Sequence, residues 1–238
     1  MSQNLQLSGH EGEVYCAKFS PCGDFLASAG FDKLINVWDV FSPSVQNLGF
    51  CKGHKNAVLD ITWDHEVDTA TGQPPRLHSC SADKMLMTWD SVDFSRVRTF
   101  KGHDDVVNSL DVSYQRSAAS KAAVEPEDNH MAALGIDCDM LASGSNDGTV
   151  KLWDFRERSY SASFKVGYQV TCVAFSRSND IVFFGGVDNT IRGLNLRKRQ
   201  IEYTLVGHMD TLTGLSLSPC GTRLLSNAMD NTVRMWDI

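Results

Sequence analysis

Four times along this chain a histidine, a serine and an aspartate precede a tryptophan in the same order: His10, Ser28, Asp32 and Trp38; His54, Ser79, Asp83 and Trp89; His103, Ser143, Asp147 and Trp153; His208, Ser226, Asp230 and Trp236. Serine, histidine and aspartate are the parts of a nucleophilic hydrolase, in which a carboxylate orients the imidazole that activates a hydroxyl. Such a site needs the set once, with its serine on an exposed elbow. Here the set recurs in four places, and no Gly-x-Ser-x-Gly elbow accompanies it. Even repetition is the mark of a structural role, so no residue is assigned as catalytic. The cysteines offer no alternative chemistry. Cys16, Cys22, Cys51, Cys80, Cys138, Cys172 and Cys220 are odd in number, scattered, and never spaced as Cys-x-x-Cys. That suggests neither a disulfide framework nor a zinc site, and no metal or cofactor is expected. Most read as small core residues, with Cys22 and Cys220 exposed in equivalent Ser-Pro-Cys-Gly turns.

The elements that position these residues repeat with them. Gly-His pairs stand at Gly9-His10, Gly53-His54, Gly102-His103 and Gly207-His208, and Trp-Asp pairs end hydrophobic runs at Trp38, Trp89, Trp153 and Trp236. A Gly-His to Trp-Asp unit of forty-odd residues is the signature of a propeller blade. A fifth unit is degraded. Framed on Val170, which matches Val14, Val58, Val107 and Leu212, its Gly-His position falls on Lys165-Val166 and its Trp-Asp on Leu194-Asn195. Within each unit short alternating runs separated by turn residues read as strands. In the first these are Val14 to Phe19, Phe25 to Ala29 and Leu34 to Trp38 (strands a, b and c). Outer d strands are expected at Val97 to Phe100, Ser161 to Phe164 and Glu202 to Leu205. The expectation is an all-β propeller of four-stranded blades. Its repeats span about 5–40, 48–91, 97–155, 161–196 and 202–238, with a–b loop insertions at about 64–76 and 114–139.

Over essentially its whole length the chain resembles the WD-repeat (WD40) family. The likeness is densest in Leu-Ala-Ser-Gly-Ser-Asn-Asp-Gly-Thr-Val-Lys-Leu-Trp-Asp at Leu141 to Asp154. The resemblance implies that each His, Ser, Asp and Trp set named above is a hydrogen-bonded tetrad within one blade. The repeat holding Val166, Phe184 and Leu194 keeps only Asp188 and is expected to be the locally weakest, held by packing. The family pattern has seven repeats. Two arrangements follow: the first five blades of a seven-blade propeller, or a five-blade ring with Leu5 to Ser8 as the outer strand of the last blade.

Leu7 to Asp39, Thr213 to Ser218, Leu224 to Arg234 and the Gly-Tyr-Gln-Val ending at Val170 are also similar to the WD-repeat subunits of the U5 small nuclear ribonucleoprotein. That likeness implies a nuclear, non-catalytic scaffold in pre-mRNA splicing, bound to the large central protein of the U5 particle. The alternative is a WD-repeat adaptor of another complex, such as a ubiquitin-ligase substrate receptor or a chromatin reader.

A partner is expected on the narrow face of the disc, formed by the loops between strands d and a and between b and c. The candidates there are Glu13, Tyr15, Phe31, Asn108, Asn146, Gln169, Thr171 and Met229, with Leu59, Val187 and Thr213 beside them. Exposed aromatic and apolar groups among amides suit a protein partner. Net charge of −7 argues against wholesale binding of nucleic acid. Any RNA contact is indirect or local, at Arg192 and the run Arg197-Lys198-Arg199. No segment reaches the roughly 18 apolar residues of a membrane span, and no small-molecule substrate is implied.

Overall fold

The protein, seen in a computed structural model that describes residues 6–41, 46–65, 75–114, 140–155, 157 and 159–238, contains β-strands and no helix among those residues. The strands form five antiparallel meanders in chain order. Blade one comprises β1 (Val14–Phe19), β2 (Phe25–Gly30), β3 (Leu34–Asp39) and β4 (Gln46–Lys52). Blade two comprises β5 (Val58–Trp63), β6 (Leu77–Ser81), β7 (Met85–Trp89) and β8 (Arg96–Lys101). Blade three comprises β9 (Val107–Val112), β10 (Met140–Ser145), β11 (Thr149–Asp154) and β12 (Tyr160–Lys165). Blade four comprises β13 (Val170–Phe175), β14 (Ile181–Gly186), β15 (Thr190–Asn195) and β16 (Gln200–Val206). Blade five has three strands, β17 (Leu212–Leu217), β18 (Arg223–Ala228) and β19 (Val233–Asp237). The fold is an all-β propeller, with the first strand of every blade lining a central cavity of about 380 Å³.

Local chemistry explains the meander. The β1–β2 and β17–β18 turns close through Gly23 N–H to Ser20 O and Gly221 N–H to Ser218 O, 2.9 and 2.8 Å. Both glycines hold positive φ, 81° and 76°, which costs a residue without Cβ little. Between the second and third strands, the residue after the turn aspartate is left-handed in every blade: Lys33, Lys84, Gly148, Asn189 and Asn231.

The core is divided among the seams. Ala27, Ala29, Ile35 and Val37 of blade one pack on Val58, Ile61, Trp63 and Trp89 of blade two. Cys80, Leu86 and Phe100 meet Val107, Leu110 and Trp153 at the next seam. Met140, Ala142, Val150 and Leu152 meet Val170, Val173, Phe175 and Phe184 at the third. Cys172, Ala174, Phe183 and Ile191 meet Leu212 and Leu224 at the last. Each blade therefore relies on its neighbours, as stacked repeats do. The repeated apolar residue that begins the first strand records this. Val58, Val107, Val170 and Leu212 are 0% exposed, whereas Val14 is 50% exposed. At the other end Leu225, Val233 and Met235 of blade five are exposed too.

Residues 6–8 form no strand, and Leu5 lies outside the described residues, so the described chain supplies no fourth strand to blade five. Of the two a–b insertions, 66–74 and 115–139 lie outside the described residues.

Candidate functional site

At one end of each intact blade a chain of hydrogen bonds runs from ring to carboxylate. In blade two Trp89 Nε1–H donates to Ser79 Oγ (2.8 Å), Ser79 meets His54 Nε2 (2.8 Å), and His54 Nδ1 meets Asp83 Oδ2 (2.9 Å). The same order joins Trp38, Ser28, His10 and Asp32 at 2.9, 2.8 and 2.8 Å. It joins Trp153, Ser143, His103 and Asp147 at 2.8, 2.7 and 2.7 Å. It joins Trp236, Ser226, His208 and Asp230 at 2.9, 2.7 and 2.8 Å. With the indole donating, the serine hydroxyl is left to donate to Nε2, so the imidazole proton sits on Nδ1 and faces the carboxylate.

Each aspartate also fixes two loops. Its Oδ2 accepts from the backbone N–H after the histidine: Glu11 (3.2 Å), Lys55 (2.8 Å), Asp104 (3.0 Å) or Met209 (3.0 Å). Its Oδ1 accepts from Leu34, Met85, Thr149 or Thr232 N–H at the start of the third strand. Burial by itself raises the affinity of the Asp32, Asp83 and Asp147 carboxyls for protons, but the donors outweigh it and hold all three below the ordinary carboxylate value. Asp230 is lowered further, first by Met209 N–H and the Thr232 hydroxyl. His103 is lowered as well: burial outweighs the Asp147 contact.

The order Ser, His, Asp is that of a hydrolase triad, yet the serines cannot act as nucleophiles. Ser79 and Ser143 are 0% exposed, Ser226 1% and Ser28 7%, and every Oγ already accepts an indole N–H.

Blade four uses a different clamp, which sequence reasoning missed. The Arg192 guanidinium binds the Asp188 carboxylate and the Tyr168 hydroxyl and lies over the Tyr168 ring, 5.1 Å from its centroid. The preceding loop also differs from its expected framing. Lys165 pairs with Thr149 as Lys101 pairs with Met85, so residues 166–169 span what 102–106 span one blade earlier. This loop is one residue shorter, which explains why counting back from Val170 puts the Gly-His position one residue early.

The expected narrow-face residues share one end of the disc, because in each blade the b–c turn is tied to the residue before the first strand. Phe31 N–H donates to Glu13 O, Asn146 N–H to Val106 O, Val187 N–H to Gln169 O and Met229 N–H to Thr211 O. A β-bulge at the second residue of the first strand, at Tyr15, Leu59, Asn108, Thr171 and Thr213, re-aims that side chain. Glu13 and Gln169 are exposed. Tyr15, Phe31, Val187 and Met229 are 48%, 56%, 42% and 62% exposed. Others are engaged. Asn108 Nδ2 donates to Asn146 Oδ1 and to Val170 O of the next blade, both 2.7 Å. Thr171 Oγ1 donates to Leu212 O at 2.5 Å. Leu59 is half-buried and Thr213 exposed.

Two carboxylates span the seams, and Asp111 also lines the central cavity. Asp60 accepts from Ser109 Oγ–H (2.9 Å) and Leu110 N–H (3.2 Å), and Asp111 from Phe175 N–H (2.7 Å). Removal from bulk water pushes both carboxyls up to about 6, against the pull of Lys18 and these donors. The basic run is largely neutralised: Arg197 pairs with Asp180 at 3.1 Å and Lys198 with Glu202 at 2.5 Å.

The chain matches the family model described as WD domain, G-beta repeat, over residues 1–39, 128–154, 159–192 and 199–237. It is 43% identical over 218 residues to the human U5 small nuclear ribonucleoprotein 40 kDa protein, covering 92% of this chain and 53% of that one. It is 36% identical over 210 residues to the pre-mRNA-splicing factor cwf17 of Schizosaccharomyces pombe, with 88% and 53% covered. A Dictyostelium discoideum U5 40 kDa protein is 34% identical over 205 residues, with 86% and 50% covered. The chain thus spans about half the length of the curated relatives it matches. Repeated tetrads, the five-bladed sheet architecture and the matched repeats agree, and the chain belongs to the WD-repeat (WD40) family.

Proposed function

We propose that this protein is a non-catalytic docking scaffold of the splicing machinery, acting in the nucleus and holding the large central protein of the U5 particle. The observation that carries the reading is 43% identity, over 92% of the chain, to a relative named for the U5 particle. Relatives from fission yeast and Dictyostelium carry splicing names too. Exposed Tyr15, Phe31 and Met229 supply the bulky anchors that protein interfaces favour, with Glu13 and Gln169 as a polar rim. The amides Asn108 and Asn146 and the hydroxyl of Thr171 stiffen the same surface. Burial of the tetrad serines supports a non-enzymatic role, and contact with RNA is indirect or local at most.

Affinity purification of the tagged chain from nuclear extract tests this. The expected result is co-recovery of U5 RNA and the large U5 protein, reduced by Phe31→Ala together with Tyr15→Ala. Recovery of ubiquitin-ligase or chromatin subunits in their place would overturn it.

A further inference from the structure

Blade four leaves open a seam that the other blades fill. In blades two, three and five an indole packs at the seam with the preceding blade, and Trp38 holds the same place in blade one. The indole edge lies so close to Gly9, Gly53, Gly102 or Gly207 that a Cβ there would stand 2.9, 2.9, 3.2 or 2.9 Å from Trp38, Trp89, Trp153 or Trp236. In blade four Leu194 stands in place of the indole, and the shortened loop begins Val166-Gly167, with no imidazole. Leu194 pairs with Ile201 as Trp153 pairs with Tyr160. The result is a cleft of about 400 Å³ between β12 and the outer strands of blade four.

Its floor is apolar, made by Phe164, Phe184 and Leu194, and its rim carries the exposed Ile201 with Lys165, Arg192 and Arg199. Arg192 is held by Asp188 and Tyr168. Lys165 and Arg199 are exposed and make no ion pair among the described residues. Two uncompensated cations over an apolar hollow, on a chain of net charge −7, select an anionic ligand with a bulky apolar group. Nucleic acid is disfavoured, because Arg197 and Lys198 beside the cleft are already paired and a phosphate backbone needs a denser basic surface. The hollow corresponds to the seat of an indole in the sister blades, which sets the shape of the group it takes.

We propose that this cleft receives an aromatic side chain from an acidic segment of a partner protein, with flanking carboxylates paired to Lys165 and Arg199. The cleft lies between outermost strands, and the proposal does not depend on the splicing role. The test is a titration of the methyl-labelled whole chain with a capped Asp-Glu-Trp-Glu-Asp peptide, followed by NMR at Val166, Leu194 and Ile201. Saturable shifts at these methyls are expected, with none from Asp-Glu-Ala-Glu-Asp. Leu194→Trp fills the hollow from within and abolishes the shifts at Val166 and Ile201. Lys165→Glu with Arg199→Glu leaves the hollow intact and weakens binding by about tenfold. Equal shifts from the Trp and Ala peptides, undiminished binding by Leu194→Trp or by the charge-reversed chain, or a response to oligouridine in place of the peptide would each overturn the proposal.

Discussion

Arg192 lies over the Tyr168 ring, 5.1 Å from its centroid, while the same guanidinium binds Asp188. Blade four thus keeps the turn aspartate of its sister blades and changes the group that answers it. Where they use an imidazole from the d–a loop, it uses a planar cation from β15 stacked on an aromatic ring from that loop. Arg192→Ala should loosen blade four by on the order of 1–2 kcal/mol, from a charge-assisted hydrogen bond and a cation–π contact. Arg192→Lys should recover little, because an ammonium has no planar fork. Hydrogen exchange is the appropriate readout. Amides of β14 and β15 should exchange faster while β6 and β7 stay unchanged, since coupling in a repeat array is chiefly to neighbours. Uniform acceleration across all blades would contradict a local clamp.

Removing an imidazole from an intact tetrad should cost more than the loss of one contact. His54→Ala leaves Ser79 and Asp83 without their shared partner in a site where His54 is 7% exposed. An unsatisfied buried polar group costs about 1–3 kcal/mol, or roughly 2–4 °C of melting temperature per kcal/mol in a chain of this size. Ester hydrolysis by the parent chain should stay at background and be unchanged in the variant. A variant that melts with the parent would show that the tetrad carries no stability.

Repetition made most of this fold legible. The serine, aspartate and tryptophan of each tetrad recur at one spacing, and five copies of one strand pattern reinforce a reading that a single copy could not support. What occurs once was harder to see. Tyr168, Arg192 and Asp188 have no counterpart set to compare with, and the shortened loop shifts Gly-His framing by one residue without disturbing the strands. Asp60 and Asp111 belong to no repeated signature; only the assembled blades bring them against Ser109, Leu110 and Phe175. Phe31 is legible on its own, since a large aromatic in a tight turn has little core to enter, and it is 56% exposed.

The left-handed turn residue offers a stabilising change. Lys33 holds φ of 68° directly after Asp32, a conformation that costs an ordinary L-residue roughly 1–2 kcal/mol. Lys33 is exposed, and blade three places Gly148 at the same point with φ of 74°. Lys33→Gly should therefore raise stability, by about 0.5–1 kcal/mol once the greater freedom of glycine in the unfolded chain is subtracted. Lys33→Val should lower it, since a β-branched residue tolerates that region least. Chemical denaturation of the three chains orders them, and a glycine variant weaker than the parent would mean the turn is not strained.

Two sets of aspartates pull stability in opposite directions with pH. The Asp32, Asp83, Asp147 and Asp230 carboxyls are lowered on folding. Their contribution is present above the ordinary carboxylate value and is lost as pH falls below it. Asp60 and Asp111 are raised to about 6, so the folded chain binds their protons more tightly than the unfolded one does. Their contribution is full at low pH and is lost as pH rises through about 6. Asparagine keeps an acceptor for Ser109, Leu110 or Phe175 without the charge. Asp60→Asn with Asp111→Asn should therefore gain stability relative to the parent as pH rises from about 4 to 7, while acid unfolding driven by the turn aspartates stays in place. His103, lowered by burial, adds to the acid side in both chains and cancels in the difference. Melting temperatures of both chains across that range supply the readout. A difference that does not change with pH would mean that Asp60 and Asp111 are ionised in the folded chain as readily as in the unfolded one.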